Sequence, residues 1–153
     1  MVARAKKPGG PVAVPLEHDI QTAILTALGT KVDGYPNKYK MPGGLYWRNS
    51  IGVARDGKRF IRFGVKGSAD IMGITHGVSW HMEVKRPGGK QTEEQLEWQA
   101  DVEEAGAIYR VVTSVEEAQA LIAEIRAGFR GQLKLNQNDM PMRKLTAEDV
   151  LRR

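Results

Sequence analysis

The chain has 153 residues, 41% of them hydrophobic, which fits a single domain with one buried core. Its 23 lysines and arginines outnumber its 18 aspartates and glutamates, and the formal charge of +5 makes nucleic acid a candidate partner. The chain has no cysteine, which excludes disulfides, cysteine nucleophiles and cysteine-ligated zinc. No segment approaches the roughly 20 apolar residues of a membrane span, and the basic start does not resemble a secretory signal. We therefore expect a cytoplasmic protein without a membrane partner.

Regular patterns are confined to the middle of the chain. Residues 1–13 are basic, contain glycine and proline, and predict a flexible arm that either touches phosphates or only solubilises the protein. Residues 14–127 carry the periodic segments and are assigned to one domain. After Gly128 the periodicity weakens, so residues 128–153 are predicted to form an appendage that serves dimerisation or DNA contact.

The first periodic segment predicts a helix from Pro15 to Gly29, because proline suits the first helical position and glycine suits the stop. Glu17 falls on the apolar face of this helix. It either interacts with the helix dipole at the surface or lies beside a metal site. The residues that share this face are Ile20, Gln21, Ile24, Ala27 and Leu28. Residues 30–41 are polar and interrupted by glycine and proline, which predicts a loop.

Residues 43–64 predict β structure with a hairpin at Asp56-Gly57. Trp47, Phe60 and Phe63 either stack on bases or belong to the core. Basic and amide side chains in and around this hairpin are predicted to contact nucleic acid. They are Arg48, Asn49, Arg55, Lys58, Arg59, Arg62 and Lys66.

A bend after the hairpin brings Asp70 to the start of the strand DIMGI, and the turn at His76-Gly77 leads to the strand VSWHMEVK. Alternation places Ser79, His81, Glu83 and Lys85 on one face of this second strand. Glu83 and Lys85 are therefore neighbours, roughly 7 Å apart along the strand. Among the histidines, which fit no zinc motif, only His81 is retained as a candidate ligand because it shares the face of Glu83.

The next helix is predicted to begin at Thr92 and to end at Gly106. Gln95 occupies the capping-box position, yet it also lies on the apolar stripe, so it either caps the helix or serves a site. A strand at residues 107–112 and a helix capped by Ser114 follow. This order of elements predicts an α/β fold around one mixed sheet.

Carboxylates and a lysine in this arrangement suit metal-dependent cleavage of a phosphodiester. Asp70 and Glu83 supply hard oxygen ligands for Mg²⁺ or Mn²⁺, and the backbone carbonyl of Val84 is a candidate third ligand. Lys85 would orient or help deprotonate the attacking water and stabilise charge on the phosphate. A surface Glu-Lys salt bridge would explain the E-x-K spacing alone, but not its combination with Asp70, Glu17 and Gln95.

From about Glu17 through Gln119 the chain resembles the VRR-NUC family of the PD-(D/E)xK nuclease superfamily. The resemblance rests on Glu17…Gln21, Trp47-Arg48-Asn49…Gly52, Gly67…Asp70, Glu83-Val84-Lys85, Gln95 and the strand after Gly106. It implies a restriction-endonuclease-like three-layer α/β/α core with an N-terminal β-hairpin extension. It also implies a divalent metal and cleavage of branched DNA such as Holliday junctions by a homodimer in bacterial or phage-infected cells.

By the same resemblance, Asp70, Glu83 and Lys85 match the catalytic motif. Glu17 matches the acidic residue of the first helix, which is also a possible metal ligand, and Gln95 matches the glutamine that follows the core. The family's usual proline before the first aspartate is Ala69 here. Two further hypotheses are a non-catalytic DNA-binding or junction-stabilising module on the same fold, and a basic scaffold that binds nucleic acid nonspecifically.

Overall fold

The computed structural model describes residues 13–131. Nearly all of the predicted N-terminal arm, and the predicted appendage after residue 131, lie outside the described residues. Within them, the helices are α1 (Glu17–Leu28), α2 (Glu93–Glu104) and α3 (Val115–Arg126). The strands are β1 (Thr30–Lys31), β2 (Lys38–Met41), β3 (Gly44–Arg48), β4 (Gly52–Asp56), β5 (Arg59–Phe63), β6 (Ile71–Thr75), β7 (Val78–Val84) and β8 (Ile108–Val112).

Six of these strands form one mixed sheet in the order β1-β2-β3-β6-β7-β8. The β7–β8 pair is parallel and the other pairs of this sheet are antiparallel. The parallel pair is connected through α2, as a crossover between parallel strands requires. Strands β4 and β5 form a separate two-stranded antiparallel sheet, inserted in the chain between β3 and β6. The predicted α/β fold with a mixed sheet is confirmed.

The main core lies between one face of the sheet and the helices α1 and α3. The apolar half of β7 faces this core, as its alternation predicts, and Trp80 is fully buried there. Replacing a buried aromatic of this size with alanine costs about 3–5 kcal/mol. Helix α2 covers the opposite face, where Val102 packs in a second cluster with Ala69 and Tyr109. Helices therefore pack against both faces of the sheet, and β7 is buried on both.

The prediction of a loop over residues 30–41 is wrong at both ends, where β1 and β2 form, and holds only for the connecting residues 32–37. Thr30 pairs with Lys40 and Lys31 with Tyr39. These strands extend the sheet at its edge, where backbone hydrogen bonds hold them and most of their side chains remain at least partly exposed. Apolar alternation is absent from such a segment, so the sequence pattern gives no strand signal.

Helix α1 differs from its prediction at both its start and its buried face. It begins at Glu17, after Leu16 at the N-cap position, so Pro15 precedes the helix instead of opening it. Ala27 is exposed and Leu25 is buried in its place. Contact with both α3 and the sheet rotates the buried arc toward Leu25. Gly29 ends the helix as predicted.

Both predicted helix caps in the second half of the chain are confirmed. Thr92 and Gln95 form the two reciprocal bonds of a capping box at the start of α2. Ser114 accepts a hydrogen bond from the Glu117 amide at the start of α3. Gly106 follows α2 with a φ of 87°, a conformation that glycine adopts without strain. None of the described helices is long and apolar enough to cross a membrane.

The hairpin predicted at Asp56-Gly57 is confirmed, and Gly57 has a φ of 58° in its turn. The strand predicted before this turn is two strands: β3 ends at Arg48 in the main sheet, and β4 begins at Gly52 in the hairpin. Phe60 is 72% exposed and Phe63 is 44% exposed, so the interpretation of these two aromatics as core residues is wrong.

Candidate active site

Strand register brings the two predicted acidic ligands together on the face of the sheet that α2 covers. Ile71 pairs with Met82, so the next antiparallel step places Asp70 opposite Glu83. Side chains directly opposite each other have Cβ atoms about 5 Å apart. The Val84 amide donates a hydrogen bond of 2.8 Å to Asp70 Oδ2, which fixes this carboxylate against the end of β7.

Glu83 is 1% exposed, and its two carboxylate oxygens have different surroundings. Oε1 lies 3.0 Å from Lys85 Nζ and accepts a hydrogen bond of 2.6 Å from Gln95 Nε2. Oε2 is buried and accepts no hydrogen bond from any group that the structure describes. A buried charged oxygen without a donor is costly, so this atom is the strongest indication that a cation or a proton belongs at the site.

The side chain of Gln95 both caps α2 and contacts the site, the two roles that the sequence left open. Its Oε1 accepts the Thr92 amide at 2.9 Å and completes the capping box. Its Nε2 donates to Glu83 from the other end of the same amide. The cap therefore fixes the orientation in which Gln95 reaches the carboxylate.

Burial raises the pKa values of both carboxyl groups. The pKa of Glu83 rises from 4.5 to about 7, first because burial disfavours the charged form and then because Asp70 is close, while Lys85 opposes the shift. Burial also raises the pKa of Asp70, although the Val84 amide and Lys85 favour its charged form. The pair thus holds a proton in a pH range where isolated carboxyl groups have lost theirs.

The charge of Glu17 also affects the two carboxyl groups. It contributes to the raised pKa values of both Asp70 and Glu83. Within residues 13–131, no group of three or more acidic, histidine or cysteine side chains is arranged to hold a metal ion. The structure therefore brings together Asp70, Glu83, Lys85 and Gln95, and Glu17 as a metal ligand stays a prediction.

The donor set that is assembled fits a hard divalent cation. It offers two carboxylate oxygens, Glu83 Oε2 and the Asp70 oxygen that does not accept from Val84. Oxygen ligands are those that Mg²⁺ and Mn²⁺ prefer. The Val84 carbonyl stays a prediction as a third ligand. A lysine at 3.0 Å from the other oxygen of Glu83 keeps that oxygen engaged, so Oε2 is the atom left for a cation.

His81, retained from the sequence as a possible ligand, has a different environment. It is 7% exposed, and the Trp98 indole donates to its Nδ1 at 3.4 Å. Burial lowers its pKa, so it is neutral at physiological pH. Beside it, Gln91 donates to both Gln99 and Tyr109 beneath α2. This polar network was not predicted, because it joins residues whose partners lie on separate elements.

Asn49 supports the site at its edge. Its backbone amide donates to the Asp70 carbonyl at 2.8 Å. Its side-chain amide donates to Ser68 Oγ at 2.7 Å and to the Ala69 carbonyl at 2.9 Å. Asn49 was predicted to contact nucleic acid. Its side-chain amide instead donates both of its hydrogen bonds within the protein, where they hold the bend before Asp70. An asparagine that directly follows a strand is the one sequence signal for this role.

The remaining residues predicted to bind nucleic acid fall into two groups. Arg48 donates to Thr22 Oγ1 at 2.9 Å, and its buried Nε has no partner among the described residues. Lys66 pairs with Glu94 at the start of α2. The others project from the exposed hairpin, and they are Arg55, Lys58, Arg59 and Arg62.

Comparisons of the chain with protein-family models, with curated proteins and with solved structures found no match. The family resemblance described above therefore stays a prediction, and the function has to be argued from the site.

Proposed function

We propose that this protein is a metal-dependent endonuclease that hydrolyses phosphodiester bonds in DNA. The observation that carries the proposal is Glu83. Its buried Oε2 accepts no hydrogen bond from the described residues, while Oε1 is held by Lys85 and Gln95 and Asp70 stands opposite. A carboxylate that was only structural would have both oxygens satisfied, as most buried polar atoms do.

Asp70 and Glu83 would hold the metal, with the Val84 carbonyl as a further ligand. A bound Mg²⁺ or Mn²⁺ would lower the pKa of a coordinated water and neutralise charge on the phosphate. The raised pKa values of the two carboxyl groups mean that the site must lose a proton before a cation can bind, so binding is favoured above pH 7.

Lys85 has two tasks in this proposal. Its ammonium group lies 3.0 Å from Glu83 Oε1, where it partly offsets the rise in the pKa of Glu83 that burial and Asp70 cause. The same group stands at the edge of the site, where it orients the attacking water and stabilises charge on the phosphate. Gln95 fixes Glu83, and the charge of Glu17 adds negative potential that attracts a cation.

The position of the basic hairpin supports DNA as the substrate. The hairpin is inserted between β3 and β6, so its base lies beside Asp70, where Asn49 ties the two segments together. Four basic side chains project from it against one acidic side chain, Asp56. A polyanion bound there would extend toward the carboxylates.

The finer expectations from the sequence belong to the same proposal. They are a restriction-endonuclease-like three-layer core of the VRR-NUC type, branched DNA as the preferred substrate, a homodimer and a cytoplasmic location. Packing of α1 and α3 on one face of the sheet and α2 on the other supports the first of these. Two active sites in a homodimer would suit symmetric cleavage of a four-way junction.

A panel of labelled DNA structures tests the proposal directly. Four-way junctions, flaps, nicked duplexes and plain duplexes are incubated with the wild-type protein in Mg²⁺, Mn²⁺ or EDTA. We expect cleavage of a branched form in either metal and none in EDTA. Intact DNA in every condition, with a folded protein, would reject the nuclease assignment.

A non-catalytic DNA-binding module on the same fold is the second candidate. It is favoured by the absence, within the described residues, of a third acidic side chain in the cluster. The panel separates the two functions, because such a module would shift the mobility of branched DNA and leave every strand uncut.

A further inference from the structure

The two faces of the β4–β5 hairpin carry different chemistry. Residues paired across an antiparallel ladder share a face, and successive pairs alternate between faces. The pairs Val53–Arg62 and Arg55–Phe60 therefore form one face, named the basic face here. The pairs Gly52–Phe63, Ala54–Ile61 and Asp56–Arg59 form the other, named the apolar face.

Both faces are open to solvent. All five residues of β5 and four of the five residues of β4 are exposed. Phe60 is 72% exposed, more than any other large hydrophobic residue in the part of the chain that the structure describes. An isolated two-stranded hairpin is only marginally stable in water, and an exposed apolar patch on such an element is typical of a binding surface.

Charge indicates the kind of partner. The basic face carries two arginines and no carboxylate. On the apolar face, Arg59 lies directly opposite Asp56, so the two charges offset each other. The basic face is therefore the one that complements a polyanion. A second copy of this chain has the same positive charge there and would be repelled.

The aromatic on the basic face is placed for contact with a base. The Arg55 guanidinium lies 5.7 Å from the centre of the Phe60 ring, so the cation and the ring occupy adjacent positions. Arginine binds phosphate while a neighbouring aromatic ring stacks on a base that has left its helix. Within a continuous duplex the bases stack on one another, so the ring would have no such partner.

We propose that the basic face of the hairpin binds a DNA strand that contains an unpaired base. Arg55 and Arg62 contact its phosphates, and Phe60 stacks on the base. This inference rests on the proposed function for the identity of the polyanion, and it assigns the hairpin the recognition of the strand that the carboxylate site would cut. Phe60 would then determine the preference for unpaired bases.

Binding is measured in EDTA, where no cleavage occurs, by fluorescence anisotropy with a labelled duplex and with the same duplex carrying a short single-stranded gap. The double variant Arg55→Ser, Arg62→Ser should weaken both affinities about tenfold and reduce the slope of log affinity against log salt by about two. The matched control Lys58→Ser, Arg59→Ser removes the same charge from the turn and the apolar face, and should change affinity about threefold or less. Equal losses in the two variants would overturn the assignment to one face.

Phe60→Ala should weaken binding to the gapped DNA by about five- to a hundredfold and leave binding to the duplex unchanged. Phe60→Trp should retain the affinity for gapped DNA, whereas Ile61→Ala on the apolar face should leave that affinity unchanged. A Phe60→Ala variant that binds gapped DNA as tightly as the wild type would reject the stacking role. If Phe60→Ala instead dissociated a dimer at unchanged DNA affinity, the face would belong to a second copy, and the proposal would be wrong.

These outcomes are independent of the nuclease test. Wild-type protein that binds DNA through the basic face but never cleaves it would reject the proposed function and keep this inference. If the wild-type protein cleaves DNA and the Arg55→Ser, Arg62→Ser variant binds DNA as tightly as the wild type, the proposed function is kept and this inference is rejected.

Discussion

The carboxylate site and the β4–β5 hairpin are adjacent in the chain, yet they are constructed in opposite ways. Glu83 is 1% exposed and is held by a lysine, a glutamine and the register of β7. Phe60, on β5 of the separate hairpin, is 72% exposed and lies beside Arg55, its partner across the hairpin. The site has a geometry fixed before any ligand arrives, which is what catalysis requires. The hairpin has surface chemistry without supporting structure, which is typical of an element that adapts to a partner.

The largest expected effect of a single substitution is on the site. Lys85→Ala should lower the cleavage rate by about 10²- to 10⁴-fold, because it removes the group that the proposed mechanism uses to orient water and stabilise charge. DNA affinity in EDTA should stay within about threefold of the wild-type value, since the hairpin arginines remain. Lys90→Ala, which removes an exposed lysine of the following loop, is the control and should cleave normally. A Lys85→Ala protein that cuts at the wild-type rate would remove Lys85 from the mechanism.

Substitutions at Gly57 and Gly67 compare the stability of the two regions directly, because both glycines have positive φ angles. An added Cβ at Gly67 would lie 2.3 Å from the Glu94 carbonyl oxygen, whereas one at Gly57 in the hairpin turn would meet nothing within 4 Å. Gly57→Ala should cost about 1 kcal/mol from backbone strain alone. Gly67→Ala should cost several times as much and should also reduce cleavage, because it displaces the start of α2 that carries Gln95. Urea denaturation and cleavage assays measure both effects. Equal costs at the two positions would show that the contact with Glu94 does not matter.

Gln95 and Ser114 separate helix capping from support of the site. Ser114→Ala removes only a cap and should lower the unfolding free energy by about 1 kcal/mol without affecting cleavage. Gln95→Ala removes a cap and the bond to Glu83, and should cost about 2–4 kcal/mol together with a loss of activity. If the two variants matched in both stability and activity, Gln95 would be only a cap.

The pH dependence of stability provides a smaller and more gradual effect. Between pH 4.5 and about 7, the folded protein keeps a proton on Glu83 that the unfolded chain has released. Stability in EDTA should therefore fall as the pH rises through this window, with a contribution on the order of 3 kcal/mol at most. Glu83→Gln should flatten this fall, whereas Glu93→Gln at an exposed position should leave it unchanged. A wild-type profile that does not differ from that of Glu83→Gln would contradict the raised pKa.

The sequence predicts the parts of the fold whose signals are local. The alternation in β7, the capping box at Thr92 and the turn at Asp56-Gly57 each depend on residues a few positions apart. Strands β1 and β2 were missed because a polar edge strand is defined by its partner's backbone. The exposure of Phe60 was undecided for a similar reason: composition identifies an aromatic residue but not whether another element covers it.

The candidate site follows the same division. Asp70, Glu83 and Lys85 were identified from residue type and strand spacing, and the register then explained why the carboxylates are adjacent. The supporting contacts of Asn49 and Gly67 were not predicted, because each joins segments that only the folded chain brings together. Glu17 is predicted as a ligand from its helix face, and its charge does affect the pKa values of Asp70 and Glu83, but the described residues form no cluster of three candidate ligands.

Calorimetric titration with Mn²⁺ at pH 8 tests the central claim most directly, because it requires no assumption about the DNA substrate. The wild-type protein should bind the ion at one class of site and release few protons, because the Glu83 carboxyl, with a pKa of about 7, is largely ionised at this pH. Asp70→Asn and Glu83→Gln should each abolish the binding heat while the proteins remain folded. A Glu83→Gln protein that binds Mn²⁺ as the wild type does would contradict the assignment of Glu83 as a metal ligand, and with it the proposed mechanism.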